Sequence, residues 1–83
     1  MNYDFCLAWN WEYDTDFVAL LEASCRERRL SLLQITPHNV FSSCQSLASG
    51  ELAFHTLFDR ASDEDLQFMP VVEWARDHGV HRI

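Results

Sequence analysis

Short apolar runs alternate with helix-patterned segments along the chain, and this alternation limits the fold more than any other feature. Phe5-Cys6-Leu7-Ala8-Trp9 is a continuous apolar run with aromatic residues at both ends. Its length and composition suit a strand buried on both faces, as in a parallel sheet. Asn10-Trp11-Glu12-Tyr13 reads as a loop, after which Asp14 or Thr15 can cap a helix with Asp16 near its positive pole. Phe17, Leu20, Leu21 and Cys25 follow at helical spacing. Arg26, Arg28 and Arg29 at the far end suit the negative pole of the helix dipole.

The pattern then repeats. Leu30–Thr36 forms a second strand, Pro37 stops it, and Asn39 is placed to cap a helix whose face carries Val40, Phe41, Cys44, Leu47 and Ala48. Gly50 supplies the left-handed residue that commonly ends a helix. Leu52–Phe58 is a third strand, followed by Asp59-Arg60-Ala61. Ser62-Asp63-Glu64-Asp65 reads as a helix start, with Leu66, Met69, Val72 and Ala75 as its apolar stripe. Pro70 inside that stripe predicts a kink, or a short first turn and a fresh helix with Pro70 near its start. Gly79 ends the helix, and Val80–Ile83 opens a fourth strand.

A βαβαβαβ order predicts an α/β fold: a three-layer, Rossmann-like parallel sheet of four strands with right-handed crossovers and a short last strand. Strand order 3-2-1-4, which sets Val80–Ile83 beside the first strand, is favoured over 2-1-3-4. Residues 1–83 make a single α/β domain, and a chain of this size buries only roughly 60% of its unfolded surface. Because the fourth strand opens and stops, the domain is expected to be the N-terminal fragment of a longer protein.

Six basic residues, all arginine, stand against thirteen acids, for a net charge of −7. An acidic surface repels phosphate backbones and anionic headgroups, so neither nucleic acid nor membrane is an expected partner. No apolar run approaches the roughly 20 residues of a membrane helix, and the N-terminus has no secretory pattern. A cytoplasmic location is the expectation. The absence of lysine excludes a Walker-type phosphate loop and a Schiff-base lysine. Cys6, Cys25 and Cys44 are odd in number, sit in apolar patterns and have no metal-ligand spacing, so they read as buried, reduced thiols.

Ligands of open α/β sheets bind beyond the carboxyl ends of the strands, where strand order reverses. Three loops reach that edge, and they supply the candidate residues: Trp9, Asn10, Trp11 and Tyr13; Pro37, His38 and Asn39; Asp59 and Arg60. The first loop has no glycine to let a pyrophosphate approach the backbone, which argues against dinucleotide binding. Its aromatics either cover the end of a thin core, meet a neighbouring domain, or stack on a flat ligand. Asp59 ends the third strand where a receiver domain carries its phospho-acceptor. Such a domain also needs an acidic pair after the first strand and a later lysine, and this chain has neither. Asp59 reads instead as a cap for the next helix or a partner of Arg60. His38, His55, His78 and His81 form no metal-ligand pattern, and no Ser, Cys or Thr stands next to a base, so no catalytic residue and no metal ligand is assigned.

Three segments, Phe5–Trp9, Ser31–Pro37 and Leu57–Asp65, resemble the N-terminal domain that precedes the ATP-grasp fold in carboxylate–amine ligases, the pre-ATP-grasp domain. The resemblance spans nearly all of the chain, although the first loop lacks the glycine seen in many such domains. It implies a parent enzyme that uses ATP and Mg²⁺ to activate a carboxylate as an acyl phosphate and joins it to an amine. ATP and Mg²⁺ would then belong to the parent and neither to this chain. The domain would pack on the C-terminal domains of its own parent chain and lend loops to the acceptor-substrate side. Left bare, its docking face invites self-association. The alternative is a stand-alone, small acidic α/β interaction module.

Overall fold

A computed structural model describes residues 1–10 and 14–83. Its elements follow the alternation of the sequence: β1 (Asn2–Trp9), α1 (Thr15–Glu27), β2 (Leu32–Ile35), α2 (Val40–Ser49), β3 (Ala53–Arg60), a 3-10 turn (Leu66–Phe68), α3 (Met69–Asp77) and β4 (His81–Arg82). All neighbouring strands are parallel, in the order β2-β1-β3-β4. The expected order 3-2-1-4 is therefore corrected to 2-1-3-4.

Strand length explains the choice. β1 and β3 have eight residues each, and their register runs from Asn2 opposite Ala53 to Trp9 opposite Arg60. In the other order β1 would have had only the two-residue β4 on that side. β4 instead extends the sheet beyond β3, with His81 opposite Thr56 and Arg82 opposite Leu57, and it does not adjoin Trp9. The four-residue β2 lies on the opposite edge.

Because β2 and β3 flank β1 on opposite sides, right-handed crossovers send α1 to one face of the sheet and α2 and α3 to the other. On the α2–α3 face, Cys6, Ala8, Ile35, Leu57, Val71 and Ala75 belong to one buried cluster, joined by Phe68 from the 3-10 turn. On the other face Phe17 of α1 meets Phe58, ring centroids 5.4 Å apart.

The helices are rotated from the faces that residue spacing predicts. α1 buries Val18 and Cys25 while Leu20 is 69% exposed; α2 buries Val40, Ser43 and Leu47 while Phe41 is 74% exposed. Beyond β3, Phe68, Val71 and Ala75 are buried and Leu66 is 78% exposed. Each apolar stripe is wide enough that a residue at its margin can turn to solvent. No helix begins at Ser62. Residues 62–65 form a turn, closed by Asp65 N–H donating to the Ala61 carbonyl at 2.9 Å, and α3 starts at Met69 with Pro70 in its first turn.

Gly50 (φ 83°) and Gly79 (φ 66°) adopt the expected left-handed conformation after α2 and α3. Arg29 does the same after α1 (φ 57°) without being glycine. There Leu30 N–H donates to the Cys25 carbonyl at 2.8 Å, and Arg29 N–H to Arg26 at 3.2 Å. The six-residue closure is that of a Schellman-type stop.

β2 is fastened at its entry by a contact the sequence patterns do not show. The Asp4 carboxylate accepts from Ser31 N–H (2.8 Å) and Ser31 Oγ (3.0 Å), while Asp4 N–H donates to Ser31 Oγ (2.9 Å). These hydrogen bonds hold the Asp4 carboxyl below the usual carboxylate range. Cys6 and Cys25 are buried, Cys44 is half-buried, and all three are free. Burial pushes each thiol up; for Cys6 the Asp59 carboxylate adds to it.

Candidate functional site

With the order β2-β1-β3-β4, the strand order reverses between β1 and β3, so the loops after these two strands flank the crevice. Among the described residues, two of the hollows on this carboxyl edge lie beside β1 and the reversal. One, of about 320 Å³, lies between the ends of β1 and β2 and is lined by Trp9, Asn10, Thr15, Thr36, Pro37 and His38. The other, of about 340 Å³, lies at the β1–β3 reversal and is lined by Asp14, Phe58, Asp59, Arg60, Asp63 and Glu64. Both are at the small end of the range for ligand sites.

The walls of the first hollow are held by side-chain hydrogen bonds. Trp9, half-buried at the end of β1, donates from Nε1 to Gln34 Oε1 of β2 at 3.1 Å. Asn39 makes no side-chain cap on α2. Its Oδ1 accepts from Thr36 N–H at 2.7 Å and its Nδ2 donates to the Gln34 carbonyl at 2.9 Å. This side chain therefore braces the loop that carries exposed Pro37 and His38, where His38 N–H also donates to Thr36 Oγ1 at 3.3 Å. Among the described residues, what faces the hollow is an indole, a proline ring, two threonines, an amide and an imidazole: surfaces for stacking and hydrogen bonding, none with a fixed charge.

The second hollow is ionic; the charges of Asp14, Arg60 and Asp59 are committed within the fold, while Asp63 and Glu64 are exposed at its rim. Asp14, 5% exposed, makes no side-chain cap on α1. It receives a fork of two bonds from Arg60, Nε to Oδ2 at 3.1 Å and Nη2 to Oδ1 at 2.8 Å. The hydrogen bonds to Asp14 raise the Arg60 pKa further above its ordinary value. The guanidinium also lies 4.8 Å from the Phe17 ring centre and 5.9 Å from that of Phe58, within cation–π reach. Asp59 does not pair with Arg60. Its carboxylate accepts from Ala61 N–H (3.0 Å), Ser62 N–H (2.9 Å) and Ser62 Oγ, tying off the turn after β3.

Of the residues read from sequence, Trp9, Asn10, Pro37 and His38 meet in one hollow, and Asp59 and Arg60 line the other. Asn39 stands behind the first as a brace. Trp11 and Tyr13 lie outside the described residues. Asn10 is half-buried, and Asp65 lies close by. The Asp65 carboxyl is held low chiefly by the Gln67 side chain and backbone, with a smaller contribution from Asn10. Thr15, Thr36 and Gln34 carried no signal as site residues. Asp14 was legible as a helix-start residue, but its partner lies 46 positions away.

Among the described residues no cluster of three or more His, Cys, Asp or Glu side chains could hold a metal ion, and no helix is long and apolar enough to cross a membrane. Compared with protein-family models, curated proteins and solved structures, the chain finds no match.

Proposed function

We propose that this chain is a non-catalytic α/β module of the kind that precedes the ATP-binding domains of ATP-grasp carboxylate–amine ligases. It packs against those domains and presents the loops after β1 and β2 to the acceptor-substrate side. The observation that carries the reading is the division of labour at the carboxyl edge. The charges of Asp14, Arg60 and Asp59 are taken up in holding loops, while the adjoining hollow offers Trp9, Pro37 and His38 with hydroxyls and an amide. Such a lining favours recognition by stacking and hydrogen bonding. ATP and Mg²⁺ belong to the parent enzyme, the partners are the C-terminal domains of the same chain, and a cytoplasmic location is part of the proposal.

Calorimetry with ATP and Mg²⁺ on the 83-residue chain tests it. No heat of binding is expected, and micromolar affinity would overturn the assignment. The reading frame after the codon for Ile83 gives a second test, since a continuation encoding ATP-binding domains is expected. A stop codon there would favour a stand-alone acidic interaction module, a reading to which the uncharged groove beside α2 lends weight.

A further inference from the structure

We infer that α2 is the contact surface of a symmetric dimer, in which Phe41 of each copy fills the groove beside α2 of the other. The sequence of α2, Val-Phe-Ser-Ser-Cys-Gln-Ser-Leu-Ala-Ser, contains no charged residue. Alongside it runs a groove of about 340 Å³, bordered by Phe41, Cys44, Gln45, Ala48, Gln67 and Pro70, again without a charge. Phe41 is 74% exposed at its rim, and Leu66, next to Gln67, is 78% exposed. Large apolar side chains so fully in water, beside an apolar hollow, are the mark of a surface that is covered in use.

Charge selects the occupant. The chain has thirteen acids against six arginines. Two copies meeting through most of their surface would bring carboxylates against carboxylates, whereas the uncharged groove lets them approach at least cost. A basic partner would be drawn to the acids elsewhere and gain nothing from this strip. A second copy also supplies both halves of the contact, because projecting Phe41 and the groove past Cys44 to Ala48 lie on the same helix. A two-fold axis across antiparallel α2 helices sets each Phe41 over the other's groove, the self-complementary arrangement of an isologous interface. α2 spans only about 15 Å, so the contact is at the low end of interface sizes and the dimer is weak, with a Kd between about 10 µM and 1 mM. The groove shares no lining residue with the hollow between β1 and β2, so a monomeric chain would overturn this inference and leave the reading of that hollow in place.

Sedimentation equilibrium of the full chain decides the matter. A reversible monomer–dimer equilibrium is expected, and it tightens by about 3–10-fold between low and high salt as repulsion between the acidic copies is screened. Phe41→Asp should leave the chain monomeric throughout, with the far-UV circular dichroism and melting temperature of the parent, since Phe41 contributes little to the core. Cys44 gives an independent readout: its reaction with a thiol reagent should slow as protein concentration rises, and should not slow in Phe41→Asp. A strict monomer up to about 1 mM in both salts would overturn the inference and leave the groove to a different partner. Undiminished association of Phe41→Asp would overturn it equally.

Discussion

Asp14 and Arg60 show how much of this site is written in pairs that no local pattern reveals. Asp14 stands where a helix cap is expected, and spacing alone assigns it that role. In the folded chain its carboxylate turns to the arginine that ends β3 and binds it through two oxygens. Charge-assisted, two-pronged contacts of this kind are the stronger class of hydrogen bond. Truncating Asp14 leaves Arg60 without its partner and frees the start of α1 from the end of β3. Asp14→Ala should destabilise the chain by about 2 kcal/mol, read as a lower urea midpoint with an unchanged slope. Trp9 and Gln34, on neighbouring strands, make the same point, whereas the brace between Asn39 and Thr36 is local to one loop. The residue types that line the hollow were legible in the loops, but the bond from Trp9 to Gln34 depends on which strands become neighbours.

At the scale of the element, position was more legible than orientation. Apolar runs marked β1 and β3, and Gly50 and Gly79 marked two helix ends, because only glycine enters the left-handed region without cost. Helix faces were less legible. Leu20, Phe41 and Leu66 are the residue types a core uses, yet a stripe has two margins, and the sheet decides which margin it covers. Of the three left-handed helix ends, those at Arg29 and Gly79 share the same six-residue closure and make a matched pair. Gly79→Ala should cost about 1 kcal/mol, from backbone strain alone, since nothing lies within 4 Å of the added methyl. Arg29→Gly relieves the same strain at φ 57° and should raise stability by up to about 1 kcal/mol. Thermal melts of both variants, side by side, check the opposite signs.

For the whole molecule, the class of fold followed from the alternation of elements, whereas the strand order did not. A count of strands and helices leaves two right-handed arrangements open; the equal lengths of β1 and β3 decide between them, and those lengths appear only once the strand ends are known. Stability against acid is likewise a property of the whole. Asp4 and Asp65 both have their carboxyls held below the ordinary value of 3.8. Their contribution to stability is therefore fully present above that pH and is lost as pH falls through the lower, folded-state values. Urea titrations at a series of pH values should show an acid limb that Asp4→Asn flattens; an unchanged limb in that variant would assign the acid sensitivity elsewhere.

The place of β1 at the centre of the sheet bears on how the chain is made. Of the four strands of this sheet β1 leaves the ribosome first, but its long partner β3 ends only at Arg60. At about 5–20 residues per second, one edge of the most apolar strand waits several seconds for its neighbour. During that interval the nascent chain displays Cys6, Leu7 and Ala8 to whatever binds emerging apolar segments, and the sheet cannot close around β1 until the residues through Arg60 have emerged.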